Sequence, residues 1–477
     1  MSNSASIRKI VAIVAWCMLC CTATAADFDP FNTTSQISMP THSFAQGTRA
    51  ASMPCAPRPL NPQLDLADAT DLTLCNSPKT REAWANAKMQ AAQVGLAQSA
   101  YLPQINISAS KIRGDYASSV AELPELDYQQ YANSKDANLS LTWTLYDFGA
   151  RSAHLENARQ LLNAANATQD VTTQAVFADT AQAYYKLQSA VGSLDAAKDA
   201  ERAASTSFDA ADAKYRAGIG SLADKLQAQT SFSQAKVARG KAEGDLKTAR
   251  GALAVAMGLA PTAEFTIAPT PDAHSNAALT KSIELYLKVA VKQHPSIAAA
   301  RAQLDAARAN VEVAKADGLP LVQLTGGLDR NTQPGQYSLD TSTRTNTIGL
   351  QIKAPLFEGF GRSYRIQAAK AQAESKEAEL AQAKSQVALE VWTAYQSLTT
   401  LGDNLNAIND LLQSAAASFD VAQGRYRAGV GTLIELLNAQ TALANAKQQQ
   451  VQALADLGNA KIRLAVGLGK LDIGPAD

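Results

Sequence analysis

Two short stretches carry the residues at which this chain could do chemistry, and they share one pattern. Tyr215-Arg216-Ala217-Gly218 is followed by Ser221 and, nine residues after the tyrosine, by Asp224; Tyr426-Arg427-Ala428-Gly429 is followed by Thr432 and Glu435 at the same spacings. A serine or threonine with an acid three residues on is the pattern of a helix N-terminus. There the hydroxyl accepts from a backbone amide, and the acid returns a bond to the cap. A glycine just before supplies the left-handed residue that ends the preceding helix. The chemistry on offer is therefore hydrogen bonding at a tight reversal between two helices, closed by Gly218 or Gly429 and reopened by Ser221 or Thr432.

Bond-making chemistry has no comparable support. There is no Gly-x-Ser-x-Gly, His-Glu-x-x-His or Walker loop, and the Gly-x-Gly pieces at 218–220 and 429–431 belong to the turns. The four histidines (His42, His154, His274, His294) are scattered, without His-x-x-His or Cys-x-x-Cys spacing. The sequence thus predicts no catalytic residue, metal or cofactor. With 43 basic and 43 acidic residues the chain has no net charge to attract nucleic acid.

The elements that hold these turns are duplicated as well. Phe208 corresponds to Phe419, and Arg151 in Leu145-Tyr-Asp-Phe-Gly-Ala-Arg151 to Arg362 in Leu356-Phe-Glu-Gly-Phe-Gly-Arg362, both at 211 residues (419 − 208 and 362 − 151). Pro78 to Pro103 and Pro295 to Pro320 each span 25 residues, opening a helix and closing it before a strand. A period this long, used twice, marks a tandem half-molecule, predicted here as 64–270 and 271–477.

At the start, Arg8 and Lys9 precede the apolar run Ile10 to Cys20, and Ala23-Thr24-Ala25 follows as a small-residue cleavage site. This pattern predicts a signal peptide over 1–25, its apolar run being too short to span a bilayer. Cys20 and Cys21 raise the alternative of a lipid-modified N-terminus, although Leu19 stands where a small residue is preferred. Residues 26–63 form a Pro/Ser-rich leader without apolar periodicity. Removing 1–25 leaves Cys55 and Cys75, and an even pair in an exported chain predicts a disulfide between them.

Beyond Pro103 the period changes to two. Ile105 and Ile107 alternate with Asn106 and Ser108; Leu139, Leu141 and Trp143 with Ser140, Thr142 and Thr144. The second half repeats this with Val322, Leu324 and then Ile348, Leu350, Ile352. Strands are predicted at about 104–112, 138–146, 321–329 and 346–355, with polar, tyrosine-bearing loops at 113–137 and 331–344. Their length suits a tilted crossing of a bilayer; the alternative is a small soluble sheet packed on helices. From Arg151 to about Ala217, and from Arg362 to about Ala428, proline-free and alanine-rich sequence predicts helices of about 100 Å. Neither holds an uncharged 18-residue stretch, so these are water-exposed rods.

The order helix, strand pair, long helix, Tyr-x-x-Gly turn and return helix, given twice behind a signal peptide, resembles the TolC family of outer-membrane efflux and secretion channels. The likeness covers about Leu64 to Gly469. The resemblance implies a mainly α protomer with a transmembrane β-barrel portion, four strands plus long antiparallel helices, assembled as a homotrimer in outer-membrane lipid. It also implies a long periplasmic helical tunnel, a periplasmic adaptor at its tips and an inner-membrane ABC transporter or other pump. Tyr215, Gly218, Asp224, Tyr426, Gly429, Glu435 and Asn438 would form the periplasmic tip and gate. Relatives carry two acidic rings where this chain has Glu435 and the neutral Asn438. They also pair an acid matching Asp224 with an arginine at the position of Gly431, a role left here to Arg425 or Arg427. Cys55 and the Leu74-Cys75-Asn76-Ser-Pro78 stretch look most like the branch serving type I secretion of adenylate cyclase–haemolysin toxins. Drug or metal efflux is the alternative cargo, and a soluble coiled-coil scaffold or periplasmic adaptor the alternative class.

Overall fold

The computed structural model describes residues 29–37, 63–119, 121–268, 282–334 and 340–469. The predicted signal peptide, most of the leader, and Cys55 lie outside the described residues. In the leader, Thr33–Gln36 forms a short 3₁₀ turn, with the Asp29 carboxylate accepting from the Thr34 amide at 2.9 Å.

The elements follow in this order: β1 (Gln63–Leu64), α1 (Leu66–Asn76), α2 (Pro78–Ser99), β2 (Gln104–Ser118), β3 (Tyr128–Tyr146), α3 (Ala150–Arg216), α4 (Leu222–Ala256), β4 (Thr266–Ile267), α5 (Ile283–Gln293), α6 (Pro295–Ala316), β5 (Leu321–Pro334), β6 (Asp340–Lys353), α7 (Gly361–Arg427) and α8 (Leu433–Gly467). The duplication is visible in the lengths: α3 and α7 both have 67 residues, and α4 and α8 both have 35. The chain also forms two compact units that cut across the repeats, one holding 87–163 and 302–377, the other 164–301 and 378–469.

The first unit contains one antiparallel sheet in the order β2-β3-β5-β6. Its register brings like positions into rows. Ile105, Leu141, Gly326 and Ile348 are successive partners, as are Trp143, Leu324 and Leu350, so one face is apolar. Gln104, Thr142, Thr325 and Gly349 form a row on the other face, and Thr144, Gln323 and Gln351 another. The strands run further than their alternation suggests: most of the predicted loops 113–137 and 331–344 is strand, and the last strand stops at Lys353 instead of 355. The reason is that alternation reports burial of one face. Where both faces are polar the backbone ladder continues without that signal.

At the strand exits, the two matching arginines are used differently. Arg151 Nε donates to Asp147 Oδ2 at 2.7 Å and Nη1 to the Thr144 carbonyl at 2.7 Å, with its guanidinium 4.8 Å from the centre of the Tyr101 ring. Arg362 instead donates to the carbonyls of Gly318 and Lys315, at 3.1 and 2.7 Å. Arg151 ties the start of α3 to the strand before it, whereas Arg362 ties the start of α7 to the end of α6.

In the second unit the repeat shows in the core. Leu253 of α4 and its C-cap residue Met257 pack with Leu64, Tyr184 and Leu187; their counterparts 211 residues on, Leu464 and Leu468, pack with Tyr286, Val387 and Val391. The β1 and β4 segments pair in parallel beside the first of these clusters. Cys75, in α1, is disulfide-bonded, and every other cysteine of the chain lies outside the described residues. Among the described residues no helix is long and apolar enough to cross a membrane.

Candidate functional site: the paired hairpin tips

Each turn is built by the same bonds. The Ile219 and Gly220 amides both donate to the Lys214 carbonyl at 3.0 Å; in the second copy, Val430 and Gly431 donate to Arg425 at 3.0 and 3.1 Å. This closes α3 and α7 in the Schellman manner and requires a left-handed residue, supplied by Gly218 (φ 73°) and Gly429 (φ 77°). Gly431 is demanded by a different constraint: a Cβ there would stand 2.9 Å from the Arg425 Cβ. An arginine at 431 would therefore clash within this turn.

The caps differ by one methylene. Thr432 Oγ1 accepts from the Glu435 amide at 3.2 Å, and Glu435 Oε2 accepts from the Thr432 amide at 3.4 Å, a complete capping box. Ser221 accepts from the Asp224 amide at 3.0 Å, but the shorter aspartate returns no bond to the cap. Glu435 and Asn438 are both exposed, three residues apart on one face of α8.

The two tips are held together within one chain. Lys214 Nζ donates to the Tyr426 carbonyl at 2.7 Å and stands 3.8 Å from the centre of its ring. Tyr426 is buried, with 5% of its surface exposed, whereas the corresponding Tyr215 is 39% exposed. Burial raises the Tyr426 hydroxyl pKa, and the nearby Asp224 charge raises it further. Below them Ala211, Ala228, Leu433 and Leu436 form a small core. Further along, α3 and α8 are joined by Asp199–Lys447 at 2.6 Å and Ser193–Gln448 at 2.9 Å. Arg216 and Lys225 both pair with Asp212, at 2.6 and 2.8 Å, and their hydrogen bonds and charge hold that carboxyl below the usual range, the Lys225 bond being the largest cause.

Lys214, which carries the link between hairpins, was not among the predicted site residues. Arg425, a predicted substitute for the missing arginine, folds back on its own turn, with Nη2 3.4 Å from the Val430 carbonyl and 4.0 Å from Glu435. The signal for Lys214 was slight: one lysine in the first copy where the second has arginine (425 − 214 = 211).

An antiparallel sheet with one apolar face and, among the described residues, unpaired outer edges, together with two long helical hairpins closed by the same glycine turn, are the parts of an outer-membrane channel protomer. Residues 69–259 and 286–470 match the family described as "Outer membrane efflux protein". The chain belongs to that family, to which TolC also gives its name. It is 33% identical over 428 residues to Protein CyaE of Bordetella pertussis, covering 89% of this chain and 88% of the relative. It is 23% identical to the alkaline protease secretion protein AprF of Pseudomonas aeruginosa, covering 86% and 85%. Among solved structures it resembles the CmeC outer membrane channel of Campylobacter jejuni, with a TM-score of 0.75 at 20% identity, covering 85% of each chain. The protein is thus an outer-membrane transport channel of the α/β-barrel type.

Proposed function

We propose that this channel serves type I protein secretion, with three copies forming one conduit and a toxin-like protein as cargo. The observation that carries the assembly is the sheet itself. Among the described residues its edge strands β2 and β6 each pair on one side only, beside a face of Ile, Leu and Trp. Lipid cannot satisfy an open strand edge. Four strands are too few to close alone, and three copies give three times four, twelve in all. An exposed stripe on α4, Leu226 and Val237 with Thr230 and Ser233 between them, is a surface for a neighbouring copy. A periplasmic adaptor would dock at the tips, and an inner-membrane ABC transporter would supply the energy.

Protein cargo is favoured by the 33% identity to CyaE over nearly the whole chain, and by AprF, whose name states protease secretion. The proposed gate residues are Tyr215, Gly218, Asp224, Tyr426, Gly429, Glu435 and Asn438, to which Lys214 is added. Cys55 is the proposed partner of Cys75. Deleting the gene and comparing the culture medium with a panel of toxic small molecules tests the cargo. Loss of one or a few large secreted proteins with unchanged drug and metal tolerance is expected. The reverse result would assign small-molecule efflux.

A further inference from the structure

The apolar face of the sheet gathers basic residues near one end. Beyond the apolar rows, on the same face and toward the β2–β3 and β5–β6 hairpin ends, Arg330 and Arg344 are direct partners in one row. Lys111 and Lys135 are direct partners in the next, and Arg113 stands one row further out. Like charges directly opposite one another on neighbouring strands are unfavourable, and here two such pairs stand in adjacent rows. All five cations are exposed, and among the described residues none has an ion pair. The acids that alternate with them along the same strands, Asp136 and Asp329, occupy rows of the opposite face and cannot neutralise them. On the cations' own face, Asp115 stands one row beyond Arg113 and is engaged by Gln129 Nε2, which donates to its carboxylate at 2.8 Å, and Asp340 stands two rows beyond Arg344, so the basic rows lie between the apolar rows and these outer acids.

The position of the cations is as informative as their number. From Val322 to Arg330 is eight residues, about 27 Å along the strand, or roughly 20 Å along the bilayer normal at the usual barrel tilt. The apolar band of such a barrel is about 25 Å tall. The basic rows therefore fall where the hydrocarbon ends and head groups begin, at the end of the sheet away from the helices.

We infer that Lys111, Lys135, Arg330 and Arg344, with Arg113, form a basic belt that binds the phosphate groups of outer-leaflet glycolipid. Phosphate relieves both like-charge pairs at once, and its attachment to a lipid holds it at the level where the cations lie. The inference uses the outer-membrane location of the family and is independent of the cargo.

The test uses the full-length assembled protein in detergent, with thermal dissociation of the oligomer read against added lipid. Bisphosphorylated lipid A is expected to raise the midpoint, with added salt weakening the effect. The same lipid stripped of phosphate, or inorganic phosphate at equal concentration, is expected to do neither. Removing four cations, at about fivefold apiece near an anionic surface, should weaken lipid A binding by between two and three orders of magnitude. The variant is K111Q/K135Q/R330Q/R344Q, and D136N/D329N is the control that retains binding. Should the fourfold variant fail to assemble, the wild-type protein still decides. An equal shift with phosphate-free lipid A, no salt dependence, or an equal shift with inorganic phosphate would each overturn the belt as a lipid site. So would unchanged lipid A binding in the assembled fourfold variant.

Discussion

Replacing Lys214 by methionine removes the direct link between the two tips while keeping most of the side-chain volume. The link has two parts: a hydrogen bond of 2.7 Å from Nζ to the Tyr426 carbonyl and a cation held 3.8 Å from the centre of the Tyr426 ring. A hydrogen bond with one charged partner contributes about 1.5–3 kcal/mol, and a cation–π contact at a partly wet site about 0.5–1 kcal/mol. Lys214 is half-buried, so the lower part of each range applies and the sum is about 2–3 kcal/mol. At about 1.4 kcal/mol per decade, this is a change of roughly 30- to 140-fold in the equilibrium between joined and parted tips. Single channels in planar bilayers provide the assay, read as the fraction of time in the high-conductance state. Lys214→Met is expected to raise the ratio of time open to time closed by about that factor, and Lys214→Arg to restore most of the closure. Tyr426→Leu keeps the carbonyl but removes the ring, so it separates the two parts in a double-mutant cycle. Identical opening statistics for wild type and Lys214→Met, with no coupling in the cycle, would show that this contact does not hold the tips.

Four further outcomes are expected. Glu435→Gln keeps a cap-competent side chain but removes the charge, so cation selectivity and block by multivalent cations should fall while the oligomer stays intact; unchanged selectivity would leave Glu435 as a helix cap alone. Gly431→Arg, which puts back the arginine expected from relatives, meets the Arg425 side chain at 2.9 Å and should lower the thermal midpoint instead of repairing the tip. Leu350→Arg sits on the apolar face beside Leu324 and should cost about 2–4 kcal/mol near the midplane, seen as reduced oligomer yield; normal yield would reverse the faces of the sheet. Non-reduced protein should show no free thiol at Cys75, and the Cys75→Ser variant should lose roughly 3 kcal/mol for a loop of about 20 residues, measured by denaturant unfolding of the soluble portion of the signal.

Much of the architecture is written locally. Proline-free alanine-rich sequence marks α3 and α7, and the glycine, hydroxyl and acid of each turn mark where they end. The extent of β3 was hidden because residues such as Asn133 and Ser134 keep both faces polar, so pairing continues without any hydrophobic alternation. The hairpin link was hidden for another reason. Lys214 and Tyr426 are 212 residues apart, and the tyrosine contributes its backbone carbonyl, a group that every residue has. Nor could spacing distinguish the full capping box at Glu435 from the half-formed one at Asp224; side-chain reach decides that.

The Lys214 contact also sets the symmetry of any ring built from this chain. In three copies, six hairpins would alternate between one that gives a lysine and one that receives it, because Arg425 is turned back toward its own loop. Every second junction is then internal to a chain and closed by this bond, while those between are formed by different surfaces of neighbouring copies. The entrance of such a trimer would be threefold although its hairpins number six, and its dilation would have two routes of unequal difficulty. Either whole hairpin pairs swing apart as units at the intermolecular junctions, or three lysines must release three tyrosine carbonyls together. A partner that binds across the intermolecular junctions could open the first route without touching the second.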